Sequence, residues 1–92
     1  MEFEWDESKN AQNIRKHGVS FDVAKDAFDD ENQIERSDDL VFYGEERFIL
    51  IGLAKDELLY VVFTERGNRT RIISARRATK HEQQDYYQQT RS

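Results

Sequence analysis

A cluster of basic residues late in the chain is the first candidate for chemistry. Six bases and no acid lie between residues 66 and 80. They are Arg66, Arg69, Arg71, Arg76, Arg77 and Lys80. A guanidinium stays charged and can grip two phosphate oxygens at once. A single arginine is as often paired with a surface acid, so it is the clustering that predicts a phosphate-binding surface.

A second cluster lies near the start of the chain. Lys9, Asn13 and Lys16 recur at i, i+4 and i+7 of a predicted helix, a stripe that could follow an RNA backbone. Such a stripe is also typical of the solvent-exposed face of an amphipathic helix. An imidazole can give or take a proton, and a helix C-terminus favours a cation, so His17 suits a general acid or a simple cap. We expect this helix end and the late arginines to converge on one cleft.

Glu82 and Tyr86 follow the arginines and complete a set that could cleave RNA. Cleavage of RNA without a metal needs a base, an acid and cations around the crowded phosphorus. Arg66 and Arg76 suit the cationic role, with further RNA contacts from the other arginines of the cluster. Glu82 suits the base, or only the capping-box partner of Thr79. Tyr86 suits a phosphate or nucleobase contact, or plain packing on a sheet.

The length and composition fit one small domain, residues 1–92. Hydrophobic content of 37% beside 36% charged residues is ordinary for a folded protein. The chain has no cysteine, and its two histidines lack carboxylates at ligand spacing, so we expect neither a metal site nor a cofactor. No apolar run approaches the roughly 20 residues of a membrane helix. We therefore expect a cytoplasmic protein without membrane contact.

Charge is divided unevenly along the chain. The net charge is −5, yet residues 61–92 carry seven bases and three acids, whereas residues 22–46 carry ten acids and two bases. Most of these acids are expected on a solvated face. The acidic segment, with the aromatic side chains of Phe42 and Tyr43, could also dock a protein partner that wraps around it.

Start and stop signals predict the first helix. Asp6 is an N-cap and Gly18 a left-handed C-cap for a helix from Glu7 to His17. Because this helix is mostly polar, Phe3 and Trp5 are expected to fold back and supply apolar area.

Two further helices are predicted. Ser20 caps a second helix, in which Phe21, Ala24 and Phe28 recur at helical spacing. The capping box at residues 79–82 opens a last helix that runs to about Gln89.

The middle of the chain predicts a sheet. Residues 47–54 and 58–64 are apolar on both faces, as central strands are. Residues 70–76 alternate, which would place Arg71 with Ala75 on one face and Arg76 with Ser74 on the other. Residues 33–37 are a weak strand candidate, and residues 38–44 resemble a turn region. The fold class is α+β, with two N-terminal helices, a three- or four-stranded antiparallel sheet and a C-terminal helix.

Taken along the whole chain, these residues resemble the BrnT family, the toxin half of a bacterial type II toxin–antitoxin pair. The marks are the Phe3, Trp5, Asp6 start, the Asp6, Lys9, Asn13, Lys16 spacing, KHGVSF from Lys16 to Phe21, the strand Leu59 to Arg66, and RIISARRA from Arg71 to Ala78 before Glu82 and Tyr86. The resemblance implies a RelE-like fold and an endoribonuclease that arrests translation. It also implies a BrnA-like antitoxin of the ribbon-helix-helix type.

Two hypotheses from different classes remain open on the residues alone. The first is a metal-independent endoribonuclease toxin, and the second is a non-catalytic module that binds RNA or a protein through the same charged faces. Direct DNA recognition is weaker, since no helix-turn-helix places a basic recognition helix here. Contact with DNA is therefore expected only through the antitoxin.

Overall fold

A five-stranded mixed sheet is the centre of the fold in residues 1–42 and 45–90, the part of the chain that the computed structural model describes. Side chains are described there except at residues 39–42 and 90. The strands are β1 (Glu2–Glu4), β2 (Ile34–Phe42), β3 (Glu45–Ala54), β4 (Glu57–Arg66) and β5 (Arg69–Arg77). Their order is β1-β5-β4-β3-β2, and β1 runs parallel to β5. The predicted α+β class is confirmed, but β1 adds a parallel strand that the sequence patterns do not predict.

Helix α1 (Glu7–His17) has the predicted ends. The Asp6 carboxylate accepts hydrogen bonds from the backbone N–H groups of Ser8 and Lys9, at 2.8 and 3.3 Å. Gly18 ends the helix at φ 71°, a left-handed conformation that costs glycine little. The local capping signals therefore set both ends of α1.

The predicted second helix is found in two parts, α2 (Phe21–Ala24) and a 3₁₀ helix (Lys25–Asp29). Ser20 caps it as predicted, because its Oγ accepts from the N–H of Val23 at 3.1 Å. A Cβ at Gly52 would lie 2.7 Å from the carbonyl oxygen of Ala27. Only glycine lets β3 approach the 3₁₀ helix this closely.

The last helix, α3 (Lys80–Thr90), begins at the predicted capping box. Among the described residues, no helix is long and apolar enough to cross a membrane.

The main core lies between the sheet and the face formed by α1, α2 and the 3₁₀ helix. Its buried members include Phe21, Leu50, Leu59, Val61, Phe63, Ile72 and Ala75. Phe3 packs against Phe28 with ring centroids 5.0 Å apart, and Trp5 against Phe21 at 6.1 Å. The prediction that Phe3 and Trp5 fold back onto the core is confirmed.

The opposite face of the sheet is covered by α3 at one end only. A smaller cluster of Ile51, Leu58, Ala78 and Tyr86 is buried there. Further along this face the side chains are partly exposed, among them Ile49, Val62 and Ser74. We call this surface the α3 face.

The prediction for residues 33–44 is wrong in extent, because β2 continues from Ile34 to Phe42 where a turn is predicted after residue 37. The strand is at the edge of the sheet and is polar, so it lacks the apolar run that marks β3 and β4. Tyr43 and the side chain of Phe42, predicted to help dock a partner, lie outside the described residues.

A bulge in β5 overturns the predicted alternation of that strand. Val62 pairs with Ser74 but Phe63 pairs with Ile72, so Ile73 is an extra residue. The side chains therefore change face at this point. Arg71 pairs with Thr64 and lies on the α3 face, together with Arg76 and not with Ala75.

Candidate functional site

Arg76 is held in one orientation on the α3 face. Its Nη1 and Nη2 donate to the two carboxylate oxygens of Glu82, at 2.8 and 2.9 Å, and Nη1 also donates to the carbonyl of Arg77 at 3.2 Å. The Tyr60 ring lies against the guanidinium, with Cζ 3.9 Å from the ring centroid. A guanidinium has five N–H donors, so donors remain for a ligand at this side chain, which is 34% exposed.

Three elements bring this group together. Arg76 is near the end of β5, Tyr60 is its direct partner on β4, and Glu82 is in the first turn of α3. Glu82 also accepts from the N–H of Thr79 at 2.9 Å, while Thr79 Oγ1 accepts from the N–H of Glu82 at 3.2 Å. We call Arg76, Glu82, Tyr60 and Thr79 the Arg76 cluster.

Glu82 remains ionised in this setting. Burial alone would raise the pKa of its carboxyl, but the hydrogen bonds from Arg76 and Thr79 and the charge of Arg76 outweigh burial and lower the pKa. The hydrogen bonds to Glu82 in turn raise the pKa of Arg76. A carboxylate with a lowered pKa is a weak base, so the geometry favours Glu82 as the group that orients Arg76.

Tyr60 is a member of the site that the sequence patterns do not reveal. Burial raises the pKa of its phenol, which keeps the ring neutral under the guanidinium. A cation against the face of a ring is stabilised by about 0.5–2 kcal/mol. The relevant signal is the strand register that sets Tyr60 opposite Arg76, and this register depends on long-range pairing.

Arg66 does not share a phosphate site with Arg76. Both lie on the α3 face, but Arg66 and the partner of Arg76, Tyr60, are six residues apart on β4, or about 20 Å at about 3.3 Å per residue. Arg66 Nη2 instead lies 2.9 Å from Glu45 at the far end of the sheet. At this separation the two arginines do not reach one phosphate, and a phosphate contact at Arg66 stays a prediction.

Each arginine of the basic cluster has a carboxylate partner. The pairs are Arg66 with Glu45, Arg69 with Glu2, Arg71 with Glu4, Arg76 with Glu82, and Arg77 with Glu57, at 2.8–3.5 Å. Exposed pairs of this kind contribute about 0–1 kcal/mol, so a phosphate can replace most of these carboxylates at small cost. The Arg76 pair is the more persistent, because the Glu82 side chain is only 15% exposed.

The predicted common cleft forms only in part. Arg77 reaches the end of α1, where its Nη1 donates to the carbonyl of His17 at 2.9 Å. Arg76 and Arg77 point to opposite sides of β5 because strand side chains alternate. His17 therefore lies across the sheet from the Arg76 cluster, and the structure does not bring it to Arg76 as an acid partner.

Asn13 is buried and its amide is used inside the protein. Its Nδ2 donates to the carbonyls of Val19 and Ala75, each at 2.8 Å, and its Oδ1 accepts from the N–H of Ala75 at 3.2 Å. The predicted RNA contact at Asn13 is at odds with this placement, since only 7% of the residue is exposed. Lys9 and Lys16, on the same helix, are exposed, and their contact with RNA stays a prediction.

Tyr86 is also buried, with 2% of the residue exposed. Its hydroxyl donates to Oδ2 of Asp30 at 2.6 Å, and the same oxygen accepts from the N–H of Leu53 at 2.8 Å. The predicted contact of Tyr86 with substrate is at odds with this placement. The hydrogen bond instead ties α3 to the end of the 3₁₀ helix and to β3.

Tyr86→Phe is expected to lower the free energy of unfolding by about 1.5–3 kcal/mol, because a hydrogen bond to a charged acceptor is lost. Burial, together with the bond to Asp30, raises the pKa of Tyr86 to about 12. The hydrogen bond therefore stabilises the fold fully below the ordinary tyrosine pKa near 10. This stabilisation is lost as pH rises towards the pKa of Tyr86 in the folded protein.

At acid pH the same hydrogen bond is lost for the opposite reason, because its acceptor becomes protonated. Burial alone would raise the pKa of Asp30, but hydrogen bonds from Tyr86, Leu53 and Asn32 lower it, so this stabilisation is lost as pH falls through the lowered pKa. Urea unfolding at several pH values should show the largest difference between Tyr86→Phe and the native chain on the neutral plateau. If Tyr86→Phe lowers the free energy of unfolding as much at high pH as at neutral pH, the hydrogen bond between Tyr86 and Asp30 is not the cause of the difference.

The fold and the Arg76 cluster define a small α+β protein with an arginine-bearing sheet face suited to a polyanion. Residues 5–82 match the family model for the ribonuclease toxin BrnT of type II toxin–antitoxin systems. The chain belongs to the BrnT family, as the motifs indicate, and so to a class of toxins whose substrate is RNA and whose partner is an antitoxin. No curated protein matches the chain at a significant level.

Proposed function

We propose that this chain is a metal-independent endoribonuclease that cuts RNA at a phosphate held by Arg76 and thereby arrests translation in the cytoplasm. The observation that carries the proposal is the two-bond pair of Arg76 with Glu82 over the Tyr60 ring. This pair presents a preorganised cation on the α3 face, where α3 leaves the sheet partly open. Preorganised charge is the most effective way to stabilise a highly charged transition state.

The reaction that fits this site is an internal transesterification. The ribose 2′-oxygen bonds to phosphorus, the bond from phosphorus to the 5′-oxygen breaks, and the proton lost by the 2′-hydroxyl is balanced by one gained by the 5′-oxygen. The products are a 2′,3′-cyclic phosphate and a 5′-hydroxyl end. Arg76 supports this reaction by donating to the phosphate oxygens as negative charge accumulates there.

Glu82 acts in this scheme as a positioning residue. Glu82→Gln keeps an oxygen that can accept from Arg76, so we expect the cleavage rate to fall about tenfold, whereas loss of a general base lowers a rate by about 10²–10⁴. Because the pKa of Glu82 is lowered, its carboxylate stays charged until pH falls below the ordinary carboxyl range. The native and Glu82→Gln pH–rate profiles should therefore be parallel near neutrality, and a lost inflection in the variant would indicate a base.

The direct test is incubation of the purified chain with single-stranded RNA in excess chelator. Shortened products with cyclic phosphate and 5′-hydroxyl ends are expected. Cleavage that stops in chelator and returns with a divalent cation would disprove metal independence. RNA that stays intact both alone and in the presence of ribosomes, but is still bound, would favour the non-catalytic module.

We also propose that the antitoxin is a BrnA-like protein of the ribbon-helix-helix type, and that contact with DNA occurs only through it. The acidic segment of residues 22–46 is the proposed docking region, since ten of its residues are acids. Hydrogen exchange of the complex should show protection in this segment. Protection confined to other parts of the chain would contradict the docking region and leave the nuclease proposal unaffected.

A further inference from the structure

Three adjoining cavities run around one end of the sheet. The first, about 450 Å³, lies between the end of α1 and the turn that joins β3 to β4. The second, about 290 Å³, shares Asp56, Glu57 and Arg77 with it. The third, about 580 Å³, shares Gln83 and Tyr87 with the second and follows the outer side of α3. We call this continuous depression the end groove.

An aromatic ring and side-chain amides line the part of the end groove along α3. Tyr87 is 48% exposed, and the buried Tyr86 packs edge-on against it at 5.1 Å and 90°. Gln83 is fixed by a bond from its Nε2 to the carbonyl of Ala78 at 3.2 Å, and Gln84 and Gln88 lie on the same side of the helix. A half-exposed ring with amides beside it suits a nucleobase, which stacks on the ring and hydrogen-bonds through its edge.

Cations flank this lining. Lys80 lies at the start of α3, Arg77 lies in the middle of the groove beside Asp56 and Glu57, and Lys55 lies at the other end. Arg77 is held by the carbonyl of His17 and by Glu57, with Nε 3.0 Å from Oε2. Asp56 and Glu57 make the middle of the groove unfavourable for phosphate, so the phosphates are expected near Lys80.

The end groove adjoins the Arg76 cluster, since residues next to Arg76 and Glu82 in the chain line the groove. Arg77 follows Arg76 on β5 and points into the groove, and Gln83 follows Glu82 on α3. A strand of RNA held at Arg76 can therefore pass over the end of α3 into the groove. Free single-stranded bases are the form in which proteins read RNA sequence.

We propose that the end groove binds single-stranded RNA beside the cleaved bond, with a base stacked on Tyr87 and its edge read by Gln83 and Gln84. This inference rests on the proposed nuclease function and adds to it the element that chooses the cleavage position. Tyr87 is a specificity-determining residue in this arrangement, and Arg76 remains the phosphate contact.

The test compares Tyr87→Ala with Tyr87→Phe, which keeps the stacking ring. Binding is measured by fluorescence anisotropy with a short single-stranded RNA that carries 2′-O-methyl riboses and cannot be cleaved. Tyr87→Ala is expected to weaken binding by roughly tenfold, the loss of one stacked base, and Tyr87→Phe by much less. Cleavage positions on a long RNA should also change in Tyr87→Ala, with KM affected more than kcat.

The outcomes separate this inference from the proposed function. If Tyr87→Ala binds and cuts RNA with the native pattern, the end groove does not read RNA, while cleavage by the native chain still stands. If Tyr87→Ala binds RNA normally but binds the antitoxin weakly, the groove is a protein site and the inference is overturned. If Tyr87→Ala and Tyr87→Phe lose the same amount of RNA affinity, stacking of a base on the ring is also contradicted.

Discussion

Arg76→Ala is expected to lower the rate of RNA cleavage by about 10²–10³-fold, the usual cost of removing one preorganised donor from a charged transition state. The variant also leaves the Glu82 carboxylate, which is only 15% exposed, without its guanidinium. Thr79 still donates to that carboxylate, so the fold is expected to persist with reduced stability. Single-turnover cleavage in chelator measures the first effect, and thermal unfolding measures the second.

Two further variants sharpen this test. Arg76→Lys keeps the positive charge but cannot donate to two oxygens in one plane, so we expect it to lose most of the activity as well. Arg36→Ala is the matched control, because it removes an arginine from the same sheet face, where Arg36 pairs with Asp85 at 3.0 Å. Arg36→Ala should retain most of the cleavage rate. Similar losses in Arg36→Ala and Arg76→Ala would reduce the role of Arg76 to general charge.

Asn13→Ala is expected to lower the free energy of unfolding by about 3 kcal/mol. Strand β1 pairs with β5 only at residues 69–71, and further along that edge the Asn13 amide bonds both the N–H and the carbonyl of Ala75. The Asn13 side chain therefore makes the two backbone hydrogen bonds that a neighbouring strand would otherwise make with Ala75. Removing it leaves buried backbone groups unpaired, each at a cost of about 1–3 kcal/mol.

Gln12→Ala is the matched control for Asn13→Ala. It removes an amide from the neighbouring position of the same helix, where the side chain is exposed, so the free energy of unfolding should change little. Urea unfolding of both variants gives the comparison. RNA affinity, measured where Asn13→Ala is still folded, should be near the native value. A loss of affinity without a loss of stability would restore the predicted RNA contact at Asn13.

Both ends of α1 and the start of α3 could be predicted because each capping signal acts over a few residues. Asp6 caps the N–H groups two and three positions on, Gly18 closes the last turn of α1, and Thr79 and Glu82 cap each other. The two central strands, β3 and β4, could be predicted equally well, since a strand buried on both faces must be apolar on both. The family itself follows from motifs that lie along the chain.

The composition of the site depends on contacts that no local pattern records. The bulge at Ile73 turns Arg71 to the face of Arg76, and the register sets Tyr60 under Arg76. Charge clustering along β5 does not show that each arginine meets a carboxylate from another element. The polar stripe of α1 likewise does not show that Asn13 faces the edge of β5.

The sequence by itself therefore determined the helices, the central strands, the family and the arginine-rich strand, because these depend on neighbours along the chain. Tertiary structure alone decided that Arg76 is the arginine held in one orientation, because its surroundings depend on a strand register, a bulge and the packing of α3 on the sheet. It also decided that Asn13 and Tyr86 support the fold, since the atoms they bond, on Ala75 and Asp30, are 62 and 56 residues away in sequence.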